Sequence, residues 1–237
     1  VLLQKDPEGV SEVVNDINGE LVNFWRVLSR PEWFFEFQRI IEATPFSEEH
    51  WRMAHEFHNM AQAFPAPGSR SEAVVSAVQF FILCRQSLAG RCKSFTGITK
   101  TRTRRQMNNE VSAWLTAIEW LPAVHERLKR VLILNRDALE VIRGQDGKQT
   151  CFYCDPPYLP ATRTAPQVYR HEMTVAQHVE LLHLLKQCVG KVALSGYRND
   201  LYDDLLSGWT RHDFEIPNHA AGGKDKRVMT ESVWCNY

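Results

Sequence analysis

Apolar residues recur along the first half of the chain at three- and four-residue spacing, the signature of amphipathic helices. Leu21, Phe24, Trp25 and Leu28 predict a helix from Asn18 that breaks near Arg30-Pro31, where proline cannot continue the hydrogen-bond ladder. Trp33, Phe34, Phe37, Ile40 and Ile41 carry a second helix to about Ala43. A third runs from a Ser47 cap to about Ala63 and ends at Pro65-Ala66-Pro67-Gly68. Ala73, Val74, Ala77, Val78, Phe80 and Phe81 lie on a fourth, and Trp114, Ile118, Leu121 and Leu128 on a fifth, from Asn109 to about Lys129. This density of aromatic residues at helical spacing predicts a packed core.

The second half has a different rhythm. Short β-branched and aromatic runs at 131–134, 150–154, 191–196, 209–216 and 231–237 read as strands, and 12–16 near the start reads likewise. Helices are predicted between several of them, over 138–143, from a Thr174 cap to about Cys188, and over 200–206. Alternation of strand and helix implies an α/β fold with a mainly parallel, doubly wound sheet. Residues 1–30 and 130–237 are then one domain, with 31–129 as a helical insertion.

Composition narrows the function classes. At 237 residues, 44% hydrophobic and 24% charged, the chain is ordinary globular protein, with 28 basic and 28 acidic residues balancing to zero. No run approaches the ~18 apolar residues of a membrane span. Val1-Leu2-Leu3-Gln4-Lys5 lacks the pattern of a secretion signal and reads as the last turn of a helix. Any nucleic-acid surface must come from local segregation of charge, and 85–105 supplies it, with seven Lys or Arg and no acid. Arg91, Lys93, Lys100, Arg102, Arg104 and Arg105 are candidate phosphate contacts on a flexible loop, against the alternative of a solvated loop. Tyr169, in the loop 159–173, is a further candidate DNA contact. Cys151 and Cys154 have C-x-x-C spacing without a second pair, and His55 and His58 have no third ligand, so no metal is expected. Cys151 and Cys154, two of the six cysteines, read instead as reduced, buried thiols of a cytoplasmic protein.

The chemistry concentrates at Asp155-Pro156-Pro157-Tyr158. The strand before it reads as covered on both faces, and the prolines end it in a stiff extended segment. Ligands of open α/β sheets bind beyond the carboxyl ends of strands. There Asp155 offers a carboxylate acceptor, Pro156 a carbonyl and Tyr158 a flat ring, a set suited to a planar base with an exocyclic amino group. A plain Asp-Pro-Pro turn is the alternative. Asp16 and Asp137 each follow a strand, where an acid can grip ribose hydroxyls; Asp16 can equally cap the helix that follows.

Asp155-Pro156-Pro157-Tyr158 after an aromatic strand, Asn15-Asp16-Ile17-Asn18 and the terminal 231–237 strand together resemble the Dam-like, D12 class of DNA adenine-N6 methyltransferases. The resemblance covers most of the chain and implies a Rossmann-like methyltransferase sheet with a helical DNA-recognition insertion. It implies that Asp155 and the Pro156 carbonyl accept from the target amino group, that Pro157 stiffens the segment, and that Tyr158 stacks on a flipped adenine. It further implies that S-adenosyl-L-methionine is the cofactor, with Asp16 and Ile17 at its ribose, Asp137 and Ala138 near its adenine, and Asp155 beside it. Double-stranded DNA is the implied partner, in a bacterial or phage-infected cytoplasm, for a monomer or weak dimer. The family's lysine-bearing start and Phe-x-Gly-Gly type loop, which wrap the cofactor's methionine part, have no counterpart here, so the chain is expected to be an N-terminally truncated piece. N4-cytosine or RNA-adenine methylation, and an inactive DNA-binding module lacking that loop, are the alternatives.

Overall fold

A computed structural model describes residues 2–61, 68–97, 101–163, 170–217 and 228–237. The chain forms two compact units, Val1–Asn135 and Arg136–Tyr237.

In the first unit, β1 (Glu12–Asn15) pairs in parallel with β4 (Val131–Leu134), Glu12 opposite Val131 and Asn15 opposite Leu134. Between them run α1 (Gly19–Ser29), α2 (Pro31–Glu42), α3 (Glu48–Ala61), α4 (Arg70–Gln86), the two-stranded ribbon β2 (Thr103–Arg104) and β3 (Met107–Asn108), α5 (Asn109–Glu119) and α6 (Leu121–Leu128). Helix α4 is the centre. Its Val74, Ala77, Phe81, Ile82 and Leu83 are all buried, and α1, α2 and α3 pack on it. Its start is closed by a reciprocal capping box, Ser69 with Glu72. Ser47 serves the start of α3 as expected, accepting from Glu49 N at 3.2 Å. The helix predicted over 109–129 divides at Trp120. Pro122 has no N–H to return to Ile118, and the Trp120 amide takes that carbonyl instead.

In the second unit, α7 (Ala138–Gln145) leads to a four-stranded sheet of order β5 (Cys151–Cys154), β6 (Lys191–Tyr197), β8 (Val228–Cys235), β7 (Thr210–Pro217), with α8 (Val175–Gln187) and α9 (Asp200–Leu205) between strands. Leu181, Leu182 and Leu185 of α8, Val192 and Leu194 of β6, Tyr202 of α9 and Trp234 of β8 form its core. Gly190, where the chain turns into β6, is required there. A Cβ would sit 2.8 Å from the Thr150 carbonyl oxygen and 2.9 Å from that of Gly147. Asp146 fastens the same turn, accepting from Val189 N and Gly190 N at 3.0 Å each.

The architecture is mixed α/β with small sheets. Among the described residues the strands do not make one doubly wound sheet. They form a parallel pair, a short ribbon, and a sheet in which β5 and β6 are parallel while β8 runs antiparallel to both β6 and β7. The consecutive strands β7 and β8 pair antiparallel, a pairing that needs no crossover. The strand 151–154 is also not covered on both faces. It is the outer member of the sheet order, Cys151 is exposed and Tyr153 is 49% exposed. The expectation of buried thiols fails for Cys151, which is exposed, and holds in part for Cys154, which is half-buried; all six cysteines are free. No helix among the described residues is long and apolar enough to cross a membrane.

Candidate active site

Strand β5 delivers Asp155 to its carboxyl end beside β6, with Cys154 opposite Leu194. That register sets Ser195 next to the acid. The Ser195 hydroxyl, on a residue 5% exposed, lies 2.8 Å from Asp155 Oδ1 and 3.1 Å from the Cys154 carbonyl oxygen, so its single proton, shared between the two acceptors, lies closer to the acid. Asp155 itself is exposed. Burial pushes the neighbouring Cys154 thiol up to about 12, which keeps it protonated and out of nucleophilic chemistry.

Tyr158 is fixed from two sides. Its hydroxyl donates to Glu231 Oε1 at 3.2 Å, and its ring meets Tyr197 edge-on, with centroids 4.7 Å apart at 72°. Tyr197 and Glu231 are directly opposed across the antiparallel β6–β8 pair, so one register point holds both ends of the tyrosine. Leu159 is buried in the unit's core and anchors the far end of the tetrapeptide. The site is therefore a stiff loop fastened at Asp155, Tyr158 and Leu159, with an acceptor carboxylate and an aromatic ring held in place.

Asp137, in the same unit, is the cap of α7. Its Oδ1 accepts from Leu139 N at 2.9 Å and Glu140 N at 3.2 Å, and Ala138 is the first helical residue, exposed.

In the first unit, Asp16 follows β1. Its Oδ1 accepts from Asn18 N at 2.7 Å, and Asn18, not Asp16, caps α1, accepting from Glu20 N at 3.0 Å and Leu21 N at 3.3 Å. The alternative role of Asp16 as cap is thereby corrected: a shorter turn places Asn18 at the position from which a side-chain oxygen reaches the first free amides. Ile17 is 54% exposed beside it. The donor set suits part of a nucleoside, a carboxylate for ribose hydroxyls and an apolar surface for a base.

Where it is described, the basic stretch is a turn followed by a two-stranded ribbon. Arg91 and Lys93 are exposed on a turn bridged by Ser87 and Phe95. Arg102 is exposed just before the ribbon's first strand and Arg104 is exposed on it. Arg105 and Gln106 make its turn with φ of 55° and 61°, the sense that matches strand twist in a two-residue hairpin. Arg105 is committed to Glu119 at 2.9 Å. Lys100 and Tyr169 lie outside the described residues.

Sequence reasoning missed Ser195, Tyr197 and Glu231. Their proximity to the tetrapeptide comes from strand register, and the available signal was small: a serine and a tyrosine closing a strand after an apolar run.

Comparison with protein families bears on the class directly. The family of D12 class N6 adenine-specific DNA methyltransferases matches residues 1–221. The chain belongs to this family. No curated protein matches it. Members of the D12 class are adenine-specific DNA methyltransferases that use S-adenosylmethionine, and DNA is their substrate.

Proposed function

We propose that this D12-class chain transfers a methyl group to N6 of an adenine flipped out of duplex DNA, and that Asp155-Pro156-Pro157-Tyr158 is where the base is received. The observation that carries the reading is the anchored tetrapeptide. Asp155 is oriented by Ser195, and Tyr158 by Glu231 and Tyr197, before any base arrives. Preorganisation of this kind lets acceptors meet a reacting group without reorganising during reaction.

Asp155 and the Pro156 carbonyl accept the two hydrogens of the exocyclic amine. Drawing on those hydrogens directs the nitrogen's electron pair outward and offsets the positive charge that develops as the nitrogen forms its new bond. Pro157 keeps the carbonyl from turning away, and Tyr158 presents its face to the base, an interaction worth about 1–3 kcal/mol per stacked base. S-adenosylmethionine, when bound, supplies the electrophilic methyl group. Asp16 and Ile17 would hold its ribose, and Asp137 and Ala138 would approach its adenine. No thiol is needed, in keeping with a protonated Cys154.

Residues 1–30 and 130–237 take the methyl-transfer part of the work, in a Rossmann-like arrangement, and 31–129 take target recognition. Arg91, Lys93, Arg102 and Arg104 carry phosphate contacts. The enzyme acts on DNA inside a cell.

The experiment is transfer of labelled methyl from S-adenosylmethionine to unmethylated duplex DNA, followed by nucleoside analysis. N6-methyladenine is expected. N4-methylcytosine would move the reading to the cytosine amine, whose geometry the same acceptors fit. DNA bound without any product would favour a binding module.

A further inference from the structure

Two cysteines that the proposed methyl transfer does not use lie together in the helical unit. Cys84 is in the last turn of α4, and Cys92 follows the turn Leu88–Gly90, with the two Sγ atoms 3.6 Å apart. The backbone brings them together. Leu88 N donates to Ser94 O at 2.9 Å and Thr96 N to Gln86 O at 2.9 Å, folding the chain back on the end of the helix. Ala89, Gly90 and Cys92 all have positive φ, 53°, 67° and 58°. Only the glycine takes that conformation without cost, so the turn holds Cys92 in a disfavoured backbone state with its sulfur against Cys84. The Sγ of Cys92 also lies 3.6 Å from the Gly90 carbonyl oxygen.

We propose that Cys84 and Cys92 are an oxidisable dithiol, a modification site that forms an intramolecular disulfide by exchange with a small anionic disulfide such as oxidised glutathione. Cys92 is the attacking sulfur. Contact with the Cys84 sulfur lowers its pKa from the ordinary range, against its own burial, with help from the imidazole of His58. Nearby Glu20 opposes ionisation of Cys92, but it also pairs with His58 at 3.0 Å and so fixes the ring. Cys84 is shifted upward by the same sulfur contact and by burial, which leaves it the proton donor. Exposed Arg91 and Lys93 flank Cys92 and match the carboxylates of glutathione.

The exchange balances in two steps. The Cys92 thiolate attacks one sulfur of the glutathione disulfide, its S–S bond breaks, and the first glutathione leaves as a thiolate that takes a proton from water. Cys84 then releases its proton to water and attacks the Cys92 sulfur of the mixed disulfide, expelling the second glutathione. The protein loses two protons and two electrons, and the glutathione disulfide gains them.

The test uses the folded full chain, oxidised glutathione, alkylation of the remaining thiols and peptide mapping. The expected product is a peptide linked through Cys84 and Cys92, with the other four of the six cysteines alkylated. C84S should stop at glutathione attached to Cys92, and C92S should react at least about tenfold more slowly. Six alkylatable thiols in the treated wild-type chain would overturn the proposal. So would a lasting mixed disulfide on wild-type Cys92, or a linkage between any other pair.

Discussion

The two units handle buried polarity in different ways. In the helical core of Val1–Asn135, three polar side chains end on backbone carbonyls: Asn23 on Ala73 O at 2.9 Å, Trp114 Nε1 on Thr44 O at 3.2 Å, and His125 Nδ1 on Leu28 O at 2.5 Å, while Trp51 to Ser87 and Arg127 to Glu12 are side-chain pairs. Asn23 and His125 each fasten one helix to another, and Trp114 fastens α5 to the turn after α2. In Arg136–Tyr237 the polar side chains end on one another. Trp234 Nε1 donates to Asp203, which also takes Arg211; Arg211 holds Asp213, which takes Ser232. His178 meets Tyr202 at 2.9 Å, and burial holds the imidazole below its ordinary range, hence neutral. The same habit continues at the candidate site in Ser195 to Asp155 and Tyr158 to Glu231. Polar substitutions should therefore act on stability in the helical unit and on chemistry at the sheet's edge.

The largest effect should come from the helical core. Trp114 is 2% exposed and packs tilted on Phe81 at 5.3 Å, so Trp114→Ala should cost about 3–5 kcal/mol in urea unfolding, with little change in m. A loss below about 1 kcal/mol would mean that this side chain is not part of the packing, since typical large-to-small core changes exceed it.

Ser195→Ala tests the other side of the comparison. Hydrogen bonds to charged groups contribute about 1.5–3 kcal/mol, so turnover should fall roughly 10- to 100-fold while KM for DNA stays close to wild type. Ser195→Thr, which keeps the hydroxyl, should retain most of the activity. Equal turnover in Ser195→Ala would reduce the serine to a sheet contact.

On the basic surface, charge and partner decide the rank. Neutralising Arg102 and Arg104 together should flatten the slope of log K against log salt by about 2, because each phosphate contact contributes about 0.9. Arg105→Ala should change the slope less, since that guanidinium is paired with Glu119. The reverse order would show that the ribbon's turn, not its strand, meets DNA.

A further effect concerns Glu12, a buried acid at the first position of β1. Hydrogen bonds from Arg127 hold its carboxyl down to about 2, with Lys5 assisting. A depressed folded value means the stabilisation is present above the unfolded value of about 4.3 and is lost as pH falls towards 2. Urea midpoints of wild type and Glu12→Gln should differ at neutral pH and converge near pH 2. A constant gap across that window would assign the effect to packing.

Much of the fold was legible because local rules governed it. Apolar spacing and prolines placed α1, α2 and α4, and β-branched runs placed β4 and β6. The tetrapeptide stood out because Asp-Pro-Pro-Tyr has so few conformations available. What escaped is non-local. Nothing near Ser195 or Glu231 in the chain announces that β6 lies between β5 and β8, yet that order brings both side chains to the site. Cys-Phe-Tyr-Cys reads as a buried strand by composition, whereas its exposure depends on its place in the sheet. The pairing of Arg105 with Glu119 follows from a turn of positive φ that no glycine marked.

The central claim is that Asp155 receives the target amine. Its most direct test compares Asp155→Ala with wild type in two measurements on the same duplex, methyl transfer to adenine N6 and DNA affinity. The account predicts a loss of transfer of about a thousandfold or more, the scale on which removing a preorganised transition-state contact is felt, with Kd nearly unchanged. Transfer within a few-fold of wild type would contradict it.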